Sequence, residues 1–121
     1  MLDCLAVGLG GFLGSVMRYL IGKIPFKNPT VFPIHTFLIN VIGAFIIGMI
    51  VAFVTKGKSI DPRFILFLKT GICGGFTTFS TFSLEANVLL KNGDTVLAFL
   101  YIIGSVVLGI GAVFLADYIV N

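Results

Sequence analysis

The segment from roughly Phe64 to Leu90 is apolar and long enough to cross a bilayer, yet its middle argues against one continuous helix. The run Gly71-Ile72-Cys73-Gly74-Gly75-Phe76-Thr77-Thr78-Phe79-Ser80-Thr81-Phe82-Ser83 sets glycines and hydroxyl side chains between phenylalanines. Glycine costs about 1 kcal/mol relative to alanine inside a helix, and hydroxyls compete for backbone partners. Irregular backbone at membrane depth persists only where protein buries it or where it lines a polar cavity. The stretch therefore reads as a break in a transmembrane helix that offers carbonyls and hydroxyls to something polar. A second reading stands beside it: Gly71 and Gly75, four apart, also suit close helix–helix packing in lipid.

Composition agrees with a membrane setting. Of 121 residues, 58% are hydrophobic and 11% charged, with a mean hydropathy of +1.14. Soluble domains carry about 25% charged residues. Spans of about 20 residues would use most of the chain, which reads as one domain over residues 1–121. The formal charge of +3 is small and the basic residues are scattered, so nucleic acid is not an expected partner. Cys4 and Cys73 lie far apart in apolar segments and read as small buried hydrophobes rather than a disulfide or metal pair. A single histidine and no His/Cys cluster leave no catalytic metal site to expect.

The first span is expected from about Leu5 to Ile24, retained as a helix because it lacks a basic leader and a small-residue cleavage site. Gly10 and Gly14 form a small-xxx-small pair, with Gly11 and Ser15 on adjacent faces. Arg18 near its end is either a snorkelling charge or a buried structural one, and a structural role is favoured over ion ligation. A loop, Lys23 to Pro33, is marked by Pro25, Asn28, Pro29 and Pro33. The second span, about Ile34 to Val54, places Thr36 and Asn40 on one face, with Gly43, Ala44 and Gly48 marking close packing. Asn40 is either interhelical glue or a donor of amide N–H groups to an anion. After the loop Thr55 to Pro62 comes the broken third span, with Lys69 before the break and Glu85 after it, both suited to structural or vestibule roles. Asn92-Gly93-Asp94 is a turn. The fourth span, about Val96 to Ala116, carries Tyr101 and Ser105 four apart, and Gly104, Gly109 and Gly111 as a packing surface.

With four spans both termini share a side with the second loop. That side carries Lys56, Lys58 and Arg63; the other carries Lys23, Lys27 and Lys91. So even a distribution gives almost no positive-inside bias and permits insertion in both orientations. Two copies could then pair antiparallel, each helix break beside its inverted mate on a two-fold axis.

Three motifs together resemble the Fluc-type (CrcB) fluoride channels of microbial membranes. They are Gly10-Gly11-Phe-Leu-Gly14-Ser15-Val-Met-Arg18-Tyr19, Asn40-Val-Ile-Gly43-Ala-Phe, and Gly74-Gly75-Phe76-Thr77-Thr78-Phe79-Ser80-Thr81-Phe82-Ser83. The resemblance covers the whole chain. It implies an all-α membrane protein of four transmembrane helices with a broken third helix, paired as an antiparallel, dual-topology homodimer with two pores. It further implies a multi-pass protein of the cell membrane, in contact with lipid, through which fluoride leaves passively. Phe79 and Phe82 match the family's pore phenylalanines and Asn40 its pore asparagine, with Thr36 on the same face. Ser80, Thr81, Tyr101, Ser105 and Glu85 fall where the family has its polar track and vestibule. Gly74 and Thr77 match the residues whose carbonyls, from both subunits, hold a central structural Na+. Gly109 stands where some members have a hydroxyl, and Ala44 replaces a frequent serine.

The chemistry is compatible with that match. A small, strongly hydrated anion needs replacement donors, which the Asn40 amide and the Ser and Thr hydroxyls supply. Aromatic rings have positive edges that Phe79 and Phe82, three apart, can turn toward an anion. Weak donors also let the ion leave. Without the family match, packing is the preferred reading of these two rings. A competing class is the small dual-topology multidrug exporter, which needs an embedded carboxylate; Glu85 is the mid-chain candidate, and there is no tryptophan to stack on an aromatic cation. A non-transporting membrane subunit would leave the hydroxyl-rich break unexplained. No nucleophile–base pair points to an enzyme.

Overall fold

The computed structural model describes residues 1–27 and 30–121. Asn28 and Pro29, expected in the first loop, lie outside the described residues. The elements are α1 (Leu2–Gly22), α2 (Ile34–Thr55), α3 (Pro62–Ile65), a π-helical segment π1 (Leu66–Cys73), α4 (Gly74–Phe76), α5 (Phe79–Lys91) and α6 (Thr95–Val120). Together α3, π1, α4 and α5 make a third span, Pro62–Lys91, so four helical spans are long and apolar enough to cross a membrane. The first span starts three residues before the expected Leu5, and the fourth runs four residues past Ala116.

Local chemistry sets the ends. The Asp61 side chain accepts the Arg63 N–H at 2.8 Å, with Pro62 at the first helical position. In the Asn92–Asp94 turn, Gly93 adopts φ 83°, a left-handed value that suits glycine. Arg63 pairs with Asp3 at 3.0 Å, and Lys56 donates to the Val120 carbonyl at 2.6 Å. Both termini therefore sit at the end of the bundle that carries the second loop, as an even number of spans requires.

Glycines let the spans approach to backbone contact. A Cβ on Gly10 would stand 2.8 Å from the Gly71 Cα, and one on Gly75 would stand 2.5 Å from the Gly11 carbonyl oxygen. One on Gly14 would run into the Ile72 carbonyl and stand 2.8 Å from the Phe76 N. This ridge clamps α1 along π1 and α4. On the other side of the bundle, Gly48 lets α6 close in, a Cβ there standing 2.9 Å from the Ala116 Cβ. Such contacts stabilise helix pairs in lipid through van der Waals packing rather than hydrophobic exclusion. Two expectations need correction. Gly109 and Gly111 have no atom within 4 Å of an added Cβ, so they pack against nothing among the described residues of the subunit. Cys4 is exposed on the surface of α1, where its neighbours Leu2 and Leu5 are exposed too; only Cys73 is buried.

The small closed core, Ala86, Leu89, Ala98 and Tyr101, joins α5 to α6, with Phe32, Phe37, Phe82 and Ile102 packed around it. Much of the remaining apolar surface, including Phe12, Val107, Ile110 and Phe114, faces outward as a lipid-facing surface would. Gly14→Val should lower thermal stability in detergent by at least about 1–3 kcal/mol, because backbone cannot yield as a side chain does. Gly8→Ala, with nothing within 4 Å, should leave it unchanged. Equal stability of the two variants would remove the ridge as the element that holds α1.

Candidate functional site

The helix breaks at the threonines, not at the glycines. Gly71, Gly74 and Gly75 all lie inside helical segments, whereas Thr77 (φ −81°, ψ 158°) and Thr78 (φ −150°, ψ 119°) are extended. The two readings of this stretch thus apply to different residues: Gly71 and Gly75 serve packing, and the irregular backbone follows them.

What replaces the missing helical bonds is side-chain chemistry. Asn40 on α2 accepts the Thr78 N–H on Oδ1 at 2.8 Å and donates from Nδ2 to the Thr78 carbonyl at 3.1 Å. One amide thus pairs with both backbone groups of one extended residue. The Thr78 hydroxyl caps α5 by accepting the Thr81 N–H at 3.1 Å. The Gly75 carbonyl receives Arg18 Nε at 3.2 Å and, more loosely, the Ser15 hydroxyl at 3.4 Å. Thr77 turns its own hydroxyl back onto the Cys73 carbonyl at 3.0 Å and its methyl toward Gly43.

These captures free two particular carbonyls. In a continuous helix the Thr78 N–H would reach the Gly74 carbonyl and the Thr81 N–H would reach that of Thr77. Both N–H groups are spent elsewhere, on Asn40 and on the Thr78 hydroxyl. Gly74 is exposed, and a Cβ there would meet nothing within 4 Å. Two bare carbonyls are the donor type a hard cation takes, and too few for one without oxygens from elsewhere.

Around the break lie two concavities. A groove of about 270 Å³ is lined by Asn40, Thr77, Thr78, Phe79, Phe82 and Ser105, with Val106 at its side. The Phe79 and Phe82 ring centroids are 5.8 Å apart and tilted by 43°, and Phe79 is 79% exposed. The Ser105 hydroxyl is buried with no hydrogen-bond partner among the described residues. Asn40 has a second amide N–H beyond the one given to Thr78. On the α1 side a recess of about 260 Å³ is lined by Arg18, Lys23, His35, Thr36, Thr78 and Thr81, among others.

The expected site residues therefore divide. Asn40, Phe79, Phe82 and Ser105 share the groove; Thr36, Thr81 and Arg18 share the recess. Tyr101 is fully buried, its ring 5.0 Å from that of Phe82 and its hydroxyl donating to the Glu85 carboxylate at 3.0 Å. Ser80 lines neither hollow; it is exposed, with its hydroxyl 3.3 Å from that of Thr78. Thr78 itself, which lines both hollows, was not among the expected site residues. A threonine directly ahead of a helical run is an N-cap signal and would have pointed to it.

Four spans, an interrupted third helix and a polar groove at the interruption define a polytopic α-helical membrane protein of the ion-pathway type. The family model described as "CrcB-like protein, Camphor Resistance (CrcB)" matches residues 5–116, and the chain belongs to that family. It is 46% identical over 122 residues to the Gloeothece citriformis protein called fluoride-specific ion channel FluC, covering 100% of this chain and 98% of that one. Proteins of the same name from Chlorobium chlorochromatii (44% over 111 residues, 92% and 86% covered) and Rhizobium meliloti (45% over 111 residues, 91% and 89% covered) are similar throughout.

Removing the Asn40 amide leaves two backbone groups of Thr78 without partners. Asn40→Ala should cost about 1–3 kcal/mol of stability by thermal unfolding in detergent, against no change for Ser80→Ala. An Asn40→Ala protein as stable as the native one would show that the break does not depend on this amide.

Proposed function

We propose that two copies of this chain, inserted in opposite orientations, form a fluoride-selective channel through which fluoride leaves the cell down its gradient. The names of the relatives favour the ion, and the groove supplies chemistry that suits it. The single observation that carries the reading is the Ser105 hydroxyl, buried without a partner among the described residues in a groove shared with Asn40, Phe79 and Phe82. A buried unpaired hydroxyl costs free energy unless something arrives to pair with it. With the spare Asn40 N–H it offers two true donors, and the edges of Phe79 and Phe82 add weak ones. A small anion shedding water needs such a set, and donors of limited strength let it go again.

The Gly74 and Thr77 carbonyls would hold a structural Na+ with the same carbonyls of the second copy. Bound there, the ion would supply positive charge that offsets the cost of an anion in a low-dielectric region. The unopposed faces at Gly74, Gly109 and Gly111, exposed at Gly74 and Gly111 and half-buried at Gly109, favour a second copy as the occupant. Glu85 accepts the Tyr101 hydroxyl beside this path and would act by fixing the ring that backs Phe82.

The test is fluoride efflux from liposomes, read with a fluoride-sensitive electrode. Phe79→Ile and Phe82→Ile should each slow efflux roughly tenfold or more, about 1.4 kcal/mol of barrier, while the dimer stays intact. Asn40→Asp, which keeps the acceptor for Thr78 but loses both amide donors and adds negative charge, should block. Unchanged efflux in both phenylalanine variants would remove the ring-edge role, and brisk efflux in Asn40→Asp would remove that of the amide.

A further inference from the structure

The second loop leaves α2 by a glycine turn. Gly57, at φ 88°, donates its N–H to the Val54 carbonyl at 3.1 Å, and Lys58 donates its own to the Phe53 carbonyl at 3.3 Å. This pair of bonds folds the chain back over the last turn of α2. Lys58 thereby comes to lie above Phe53, its Nζ 5.9 Å from the ring centre. Between α2 and the start of the third span opens a hollow of about 430 Å³. Lys58 and Ser59 are its polar residues and both are exposed; Ile50, Phe53, Ile60, Ile65 and Leu68 make the rest of the lining apolar.

The polar residues of this hollow lack partners. Of the basic residues Lys56, Lys58 and Arg63, Lys56 is given to the Val120 carbonyl and Arg63 to Asp3. The Asp61 carboxylate accepts the Arg63 N–H. Among the described residues Lys58 has no carboxylate within ion-pair reach, and the N–H groups of Ser59 and Ile60 make no backbone hydrogen bond. One ammonium, one hydroxyl and two N–H groups thus gather within three consecutive residues, a donor set suited to a phosphate group. Water alone would meet exposed donors of this kind. What water does not suit is the apolar wall beneath them. At about 1.5 Å of rise per residue, Ile50 lies about 7 Å in from the end of α2 and Leu68 about 9 Å in from the start of α3. The lining therefore runs from cationic at the loop to hydrocarbon within the span, in the same order as an anionic amphiphile lying in a leaflet.

We propose that this hollow is a binding site for an anionic phospholipid, its phosphodiester on Lys58 and the Ser59–Ile60 donors and an acyl chain along Ile50, Phe53, Ile65 and Leu68. A second copy of the chain is not the occupant: the faces offered to it at Gly74, Gly109 and Gly111 are absent from this lining. The lipid would bridge α2 to the third span at the end remote from the Asn40–Thr78 pair, and so add to their attachment. The inference does not depend on which ion the protein carries.

The experiment is thermal unfolding of the delipidated full-length protein in neutral detergent, with short-chain phosphatidylglycerol added. The unfolding temperature should rise by about 3–6 °C near saturation. Phosphatidylcholine of the same chain length, glycerol phosphate and inorganic phosphate should each give little or no rise. Lys58→Gln should lose most of the phosphatidylglycerol effect, Lys58→Arg should keep it, and Lys91→Gln, at the opposite end of the bundle, should leave it intact. An equal rise with phosphatidylcholine would mean that chains alone fill the hollow, and an equal rise with inorganic phosphate would mean a free-anion site; either overturns the proposal. So does the absence of any rise, or a full rise in Lys58→Gln.

Discussion

The structure depends on one amide satisfying one extended residue. Asn40 pairs with both the N–H and the carbonyl of Thr78, and without that pairing a helix interruption in the membrane would leave backbone groups without partners. Each lost partner at such a depth costs on the order of 1–3 kcal/mol. The consequences spread outward from this pair. The Thr78 hydroxyl is freed to start α5, the Gly75 carbonyl is left for Arg18, and the carbonyls of Gly74 and Thr77 are left bare. Asn40 thus serves as glue through its oxygen and one N–H, and it lines the groove with a second N–H that this pairing does not use.

Close approach of backbones is the second requirement. Gly10, Gly11 and Gly14 admit π1 and α4 to within contact, which brings the Gly75 carbonyl under Ser15 and Arg18. A side chain on that ridge would push the break away from α1. The same logic leaves Gly109 and Gly111 without a packing partner among the described residues. Small residues that pack against nothing in one copy are what a second copy, approaching closely in lipid, would use.

Much of this was legible in the residues. Apolar length predicts the four spans because hydrocarbon thickness sets a minimum, and their bounds differ from expectation by only a few residues. The presence of a break in the third span follows from hydroxyls among apolar residues. The stretch Gly71–Ser83 contains the break, but its exact residues do not follow. Glycine's low helix propensity points to Gly71–Gly75 as readily as the hydroxyls point to Thr77 and Thr78, and packing against α1 holds the glycines helical. The residue that opens the chain, Asn40, lies 38 positions away, and no local propensity encodes so distant a partner. For the same reason the sequence lists Thr36, Asn40, Thr81 and Ser105 together, whereas the fold places Asn40 and Ser105 in the groove and Thr36 and Thr81 in the recess. The exposure of Cys4 was missed because an apolar segment of a membrane helix has lipid as well as protein to face.

The central claim is that the groove beside Thr78 conducts a small, strongly hydrated anion in preference to a larger one. The most direct measurement is the reversal potential of the purified protein in a planar bilayer, with fluoride on one side and chloride on the other. Reversal far from zero, close to the potential at which fluoride alone is at equilibrium, is the result predicted. Reversal near zero, or no anion current from dimers verified to be inserted, would contradict it.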